Sequence, residues 1–173
     1  MVTATKVRLN TELLRKRMMK RASEIQTERL VRYAQQEIVE LVSTHAFKNR
    51  TMNLQDSYLW IVYYNGKKVK SGYYGNKTAT RKSVLHEWSK GMKEDVNGRE
   101  LARKFIESYK PTETSGWEIV FAAAAPYGAY LEGGFTLKGH RYQFDVMSQR
   151  YDHIKNALTP LCRVHMEIHQ PQY

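Results

Sequence analysis

The sequence predicts one α+β domain, built from a long N-terminal amphipathic helix, an antiparallel sheet with an Asn-Gly hairpin, a C-terminal helix and a final strand. Three observations predict it. Leu30, Ala34, Ile38, Leu41 and Val42 recur at three- and four-residue steps, the signature of one helix face. Asn65-Gly66 separates two β-forming runs and supplies the pair of residues that tolerates positive φ in a type I′ turn. The tail from Leu161 alternates, with Cys162, Val164, Met166 and Ile168 on one side and Arg163, His165, Glu167 and His169 on the other. No repeat, low-complexity block or Pro/Gly linker divides the 173 residues. Residues 1–21 read as a basic arm, and 22–173 as the domain, with a basic hairpin and insertion at 66–110.

The elements follow in order. Thr11, before Glu12-Leu13-Leu14, is placed to cap a short basic helix, and Ser23-Glu24-Ile25-Gln26 has capping-box spacing for a second start. From Ser23 the helix runs for about two dozen residues. The segment from Arg15 to Arg21 either extends it or forms a separate arm. A polar stretch, Phe47 to Ser57, leads to strand 57–64, the Asn65-Gly66 turn and strand 67–74. Gly75 to Lys82 reads as a polar loop, and Ser83 as the start of a short helix around Trp88. Asn97 caps a helix from Arg99 to Tyr109, with Leu101, Phe105, Ile106 and Tyr109 on one side, and Pro111 stops it. Trp117 to Ala125 is strongly apolar, and its near-continuous hydrophobicity argues that both its faces are covered. Tyr127 to Gly134 reads as a helical turn closed by glycine. A strand near 140–146 and a helix from Ser148 to Leu158, with Tyr151, Ile154 and Leu158 on one face, precede the tail.

Charge is uneven along the chain. The total is +11, with 28 Lys+Arg against 17 Asp+Glu. Residues 1–32 carry nine Lys/Arg and three Glu, residues 62–110 twelve against five, and the two remaining stretches are each close to neutral. Two basic segments in a neutral frame suit a polyanion or an acidic protein face, and equally suit simple solvation. The candidate contacts are Arg15, Lys16, Arg17, Lys20 and Arg21 in the arm, and Lys67, Lys68, Lys70, Lys77, Arg81 and Lys82 in the hairpin and loop. In the second group Tyr73 and Tyr74 add rings suited to base stacking, although lysines on a hairpin also blunt an exposed edge.

Several classes are excluded or lack a signature. No apolar run exceeds seven residues, far short of the roughly twenty that span a membrane, and the first thirty residues lack the apolar centre of a secretory signal. One cysteine, Cys162, forbids an internal disulfide and any multi-cysteine zinc site. The expectation is a soluble protein from a reducing compartment, without a cofactor. Phosphate-loop and dinucleotide glycine motifs are absent. His165 and His169 share a strand face but stand about 13 Å apart, too far to hold one metal. Asp56, Glu132, Asp145 and Asp152 are the carboxylates a metal-dependent nuclease would need, with no spacing that demands it.

Two segments resemble a known family. Arg50-Thr51-Met52-Asn53-Leu54-Gln55-Asp56-Ser57, after a long helix and before the first strand, resembles the Arg-Thr-Gly-Asn-Leu-Arg-Asp-Ser segment of tailed-bacteriophage neck and tail-completion (head–tail joining) proteins. Ala125-Pro126-Tyr127-Gly128-Ala129-Tyr130-Leu131-Glu132-Gly133-Gly134 resembles their Pro-Tyr-Ala-x-Tyr-Val-Glu-x-Gly segment. Element order matches over about residues 22–158. Met52 stands where glycine is usual, Gly134-Phe135 replaces Gly-Thr, and both the middle from Gly66 to Lys110 and the terminal strand are unusual.

The resemblance implies a non-enzymatic virion protein that forms a homo-oligomeric ring in the neck or at the head-proximal end of the tail. Its partners would be copies of itself, portal or neck-adaptor proteins, tail proteins and packaged DNA, with no membrane. The candidate motif residues are Arg50, Asn53, Leu54, Tyr127, Tyr130 and Glu132. Arg50 is placed to pair with a carboxylate such as Glu132, Asn53 to cap a turn, Leu54 and Tyr130 to pack internally, and Tyr127 and Glu132 to face a neighbouring subunit. A monomeric nucleic-acid-binding protein and a metal-dependent nuclease are the alternatives.

Overall fold

The computed structural model describes residues 10–43, 53–74, 97–125, 128, 131–132, 135–142 and 146–159. Helix α1 (Thr11–Ser43) is one unbroken rod of 33 residues. Its cap is Asn10 and not Thr11: the Asn10 side-chain oxygen accepts from the Leu13 amide at 3.0 Å, and the Asn10 carbonyl takes the first helical bond, from Leu14. The start expected at Ser23 is mid-helix. There the Ser23 hydroxyl donates to the Lys20 carbonyl and the Ser23 carbonyl accepts from Thr27 Oγ1. Residues 11–21, grouped with the arm by their charge, are therefore turns of the same helix as the domain's core stripe.

A short helix, α2 (Asn53–Asp56), turns the chain into strand β1 (Tyr58–Tyr64), which is flanked by β2 (Lys67–Tyr73) and β3 (Trp117–Ala123) in the order β2-β1-β3. Both pairings are antiparallel. Asn65 and Gly66 connect β1 to β2 with φ of 49° and 71°, a combination most side chains resist. The Asn65 side chain reaches across to the Gly116 amide at 2.8 Å, so the turn also anchors the start of β3. A bulge leaves Val69 without an opposite residue on β1.

The sheet is covered on both faces. Tyr58, Trp60 and Val62 point to α1 and meet Val31, Ala34, Ile38, Leu41 and Val42. Leu59, Ile61 and Tyr63 point the other way, against Ala102 and Ile106 of helix α3 (Gly98–Ser108). Period-two alternation on a strand between two helices explains why Tyr58 to Tyr64 is apolar without interruption. β1 is thus the fully covered strand. β3, expected to be covered on both sides, packs through Ile119 and Phe121 on one face and Val120 and Ala122 on the other, yet every residue of it stays half-buried. Its position beside only one strand among the described residues accounts for this. On α3, Asn97 caps as expected, accepting from the Glu100 amide; Ile106 is buried as expected, and Ala102, rather than Leu101, is buried with it.

Gly72 lies opposite Trp60 across the hairpin, and a Cβ there would come within 2.7 Å of the indole ring. Trp60 is buried, so the ring has nowhere to retreat. Gly72→Ala is expected to cost about 2–3 kcal/mol through overpacking, read as a lower urea midpoint with an unchanged slope.

The remaining elements are a small hairpin, β4 (Phe135–Leu137) with β5 (His140–Tyr142), turning at Lys138-Gly139 with φ of 48° and 78°, and helix α4 (Ser148–Leu158). The strand expected over 140–146 is shorter: Val146 and Met147 already lead into α4. Ile154 and Leu158 pack on Leu30 of α1. The Gly75–Lys82 loop, the helix after Ser83, Cys162 and the final strand with His165 and His169 lie outside the described residues.

Candidate functional site

The two motif segments approach one another beneath α1. Ser57 closes α2 by donating its hydroxyl to the Leu54 carbonyl at 2.7 Å, and the Leu54 side chain is fully buried in the core. Gly128, bonded to the Ala125 carbonyl, sits directly on it: a methyl group at Gly128 would lie 3.2 Å from Leu54 Cδ1. Glycine at this point lets segments some 70 residues apart touch.

Glu132 is the centre of the arrangement. Its buried carboxylate accepts from the amides of Val146 (2.6 Å), Met147 (2.7 Å) and Ser148 (2.9 Å). These are donors at the start of α4, which has no side-chain cap of its own. A carboxylate there also meets the positive end of the helix dipole. Tyr58 completes the junction by donating its hydroxyl to the Val146 carbonyl at 3.0 Å. The expectation that Glu132 faces a neighbouring subunit is therefore corrected: both its oxygens are engaged inside the fold. Leu54 is internal as expected. Asn53 opens α2, while its side chain, Arg50, Tyr127 and Tyr130 lie outside the described residues.

Beside the junction, α1 and α4 are joined through Glu37 and Arg150. Glu37 is buried and receives two bonds from the guanidinium, Nε to Oε1 at 2.6 Å and Nη2 to Oε2 at 3.1 Å. The hydrogen bonds to Glu37 outweigh partial desolvation and raise the Arg150 pKa above the usual arginine value. His153 stands 3.7 Å from the same carboxylate. Sequence reading passed over Glu37, although a carboxylate within the apolar stripe of a helix signals a buried partner.

Two further clasps hold the rims. Glu118 of β3 accepts from the Tyr109 hydroxyl and from the amides of Thr112 and Glu113, all at 2.9 Å, and fixes the turn after α3. Burial first, and the nearby Glu118 charge second, raise the pKa of Tyr63, whose hydroxyl donates to the Tyr109 carbonyl. Arg99 of α3 donates to the Tyr74 carbonyl at 2.7 Å and lies 4.5 Å over the Tyr73 ring. Burial lowers its pKa, against the opposing pull of Asp56 and Tyr73.

The basic candidates separate into two exposed sets. Arg15, Lys16, Arg17, Lys20 and Arg21 surround the first turns of α1, and Lys67, Lys68 and Lys70 line β2. Lys77, Arg81 and Lys82 lie outside the described residues, as does Asp145. Among the described residues no three His, Cys, Asp or Glu side chains gather into a metal-sized group, and no helix is long and apolar enough to cross a membrane. Comparisons with family models, with curated proteins and with solved structures find no match to this chain.

Proposed function

We propose that this chain is a non-enzymatic structural protein of a tailed-phage virion, assembling as a homo-oligomeric ring in the neck or at the head-proximal end of the tail. The observation that supports the reading is the meeting of the two family-like segments at Leu54 and Gly128, with Glu132 of the second segment tying down α4. In both segments the described side chains build the scaffold, as a structural role requires: Leu54 lies in the core and Glu132 holds the start of α4. The exposed basic surfaces are left for contacts with portal or neck-adaptor proteins, tail proteins or packaged DNA. A ring requires a heterologous interface, in which different patches of successive copies meet. Size-exclusion chromatography with light scattering tests the reading. The expected result is a closed particle several times the 20.3 kDa chain mass, formed alone or on adding portal or tail components; a persistent monomer under both conditions overturns it.

One observation favours a second reading, a monomeric nucleic-acid-binding protein: Lys67, Lys68 and Lys70 are all exposed along one strand. It requires duplex or single-strand binding that weakens steeply with salt. The nuclease alternative requires Glu132 to exchange three amide partners for a metal, and Mg²⁺- or Mn²⁺-dependent cleavage that is lost on replacing Asp56.

A further inference from the structure

From Thr11 to Ala22 every residue of α1 is exposed, so about 18 Å of helix stands clear of the body. The first side-chain tie between α1 and the sheet is Thr27, which accepts from the Trp117 indole at 3.1 Å. This length of helix is nonetheless built to be helical: Asn10 caps it, and Glu12–Lys16 and Arg21–Glu24 pair along it. Its surface combines strong positive charge with large apolar side chains. Leu13 is 46% exposed, Leu14 44%, Met18 64%, Met19 66% and Ile25 41%.

The angular placement of those side chains is informative. At about 100° per residue, Leu14, Met18, Ala22 and Ile25 form a stripe on the side of α1 opposite the core, whereas Leu13 continues the line of Val31 and Met19 that of Leu30. Apolar groups therefore project from both sides of the rod, with Arg15, Lys16, Arg17, Lys20 and Arg21 between them. A flat lipid surface covers only one side of a helix. A nucleic-acid groove rewards the cations and leaves leucine and methionine unused. A second copy offering this same helix would bring like charge to like charge. A groove with apolar walls and an acidic rim satisfies every group at once, the geometry of helix-in-groove recognition.

We propose that the projecting start of α1 is a docking helix that inserts into an acidic, apolar-lined groove on another protein. This deepens the assembly reading above and rests on it for placing the partner in the same particle. The test titrates the full chain against Ca²⁺-loaded calmodulin, used as a probe groove of the required chemistry, and in parallel against phosphatidylserine vesicles and a short duplex DNA. The expected result is preferential binding to the groove, weakened at least about 100-fold by the combined variant Leu14→Gln, Met18→Gln, Ile25→Gln, which keeps the positive charge and helix-forming residues, with the thermal midpoint of the variant shifted by no more than a few degrees and its helix content by circular dichroism retained. Absent groove binding, groove binding indifferent to the variant, or tighter binding to vesicles or DNA overturns the inference. Light scattering on the same samples separates the two proposals: a wild-type chain that binds the groove but never forms a ring sinks the ring and leaves the docking helix standing, and a ring without groove binding does the reverse.

Discussion

Replacing Glu132 with alanine is expected to lower the unfolding free energy by about 3–5 kcal/mol, among the largest effects of any single substitution in the chain. The carboxylate satisfies the amides of Val146, Met147 and Ser148 together, and alanine leaves one buried and two half-buried donors without their acceptor. Glu132→Gln keeps one acceptor oxygen but turns an NH₂ group toward an amide donor, so about half the loss should remain. Urea unfolding checks both values. Far-ultraviolet circular dichroism of the folded variants should show a small loss of helix, arising at α4. A Glu132→Ala variant as stable as the parent would mean that the carboxylate does not cap α4, and would reopen an external role for it.

Breaking the Glu37–Arg150 pair gives the second large effect. Arg150→Ala leaves Glu37 buried without its guanidinium and should cost about 3 kcal/mol, the lower end of the range for buried pairs. The discount follows from the Arg150 side chain, which keeps 20% of its surface exposed against 3% for Glu37. The double variant Glu37→Leu, Arg150→Leu should fall within about 1 kcal/mol of the parent or exceed it, since desolvation of the ion pair disappears along with the attraction. A double-mutant cycle in urea gives the coupling; additive losses would show that the two groups act independently.

Much of the fold is legible in local sequence because it rests on local physics. Asn65-Gly66 and Asn97 act within a few residues of themselves, through positive φ in one case and an amide bond in the other. The stripe from Leu30 to Val42 reports a helix against a sheet without needing to know which sheet. The misreadings share a different cause. Thr11 has the chemistry of a cap, yet its neighbour Asn10 takes the role, and Ser23 falls inside the helix because the turns before it are helical as well; backbone geometry decides both. Tyr58 to Tyr64 and Ile119 to Ala125 are both unbroken apolar runs of seven residues, and only the strand order makes the first central.

The candidate site was less legible. Glu132 can be singled out by resemblance, but its role depends on amides fourteen to sixteen residues away, and no periodicity encodes that separation. Glu37 finds its partner 113 positions later. Long-range pairing of single polar groups leaves almost no trace in one sequence, whereas apolar patterns average over many residues.

The clasp of Arg99 on the Tyr74 carbonyl ties the end of β2 to the start of α3, so two elements more than twenty residues apart in sequence are held at neighbouring points. Arg99 and Tyr74 thus act as a closing point between two elements well separated in sequence, and losing either group would free the end of β2 from the start of α3.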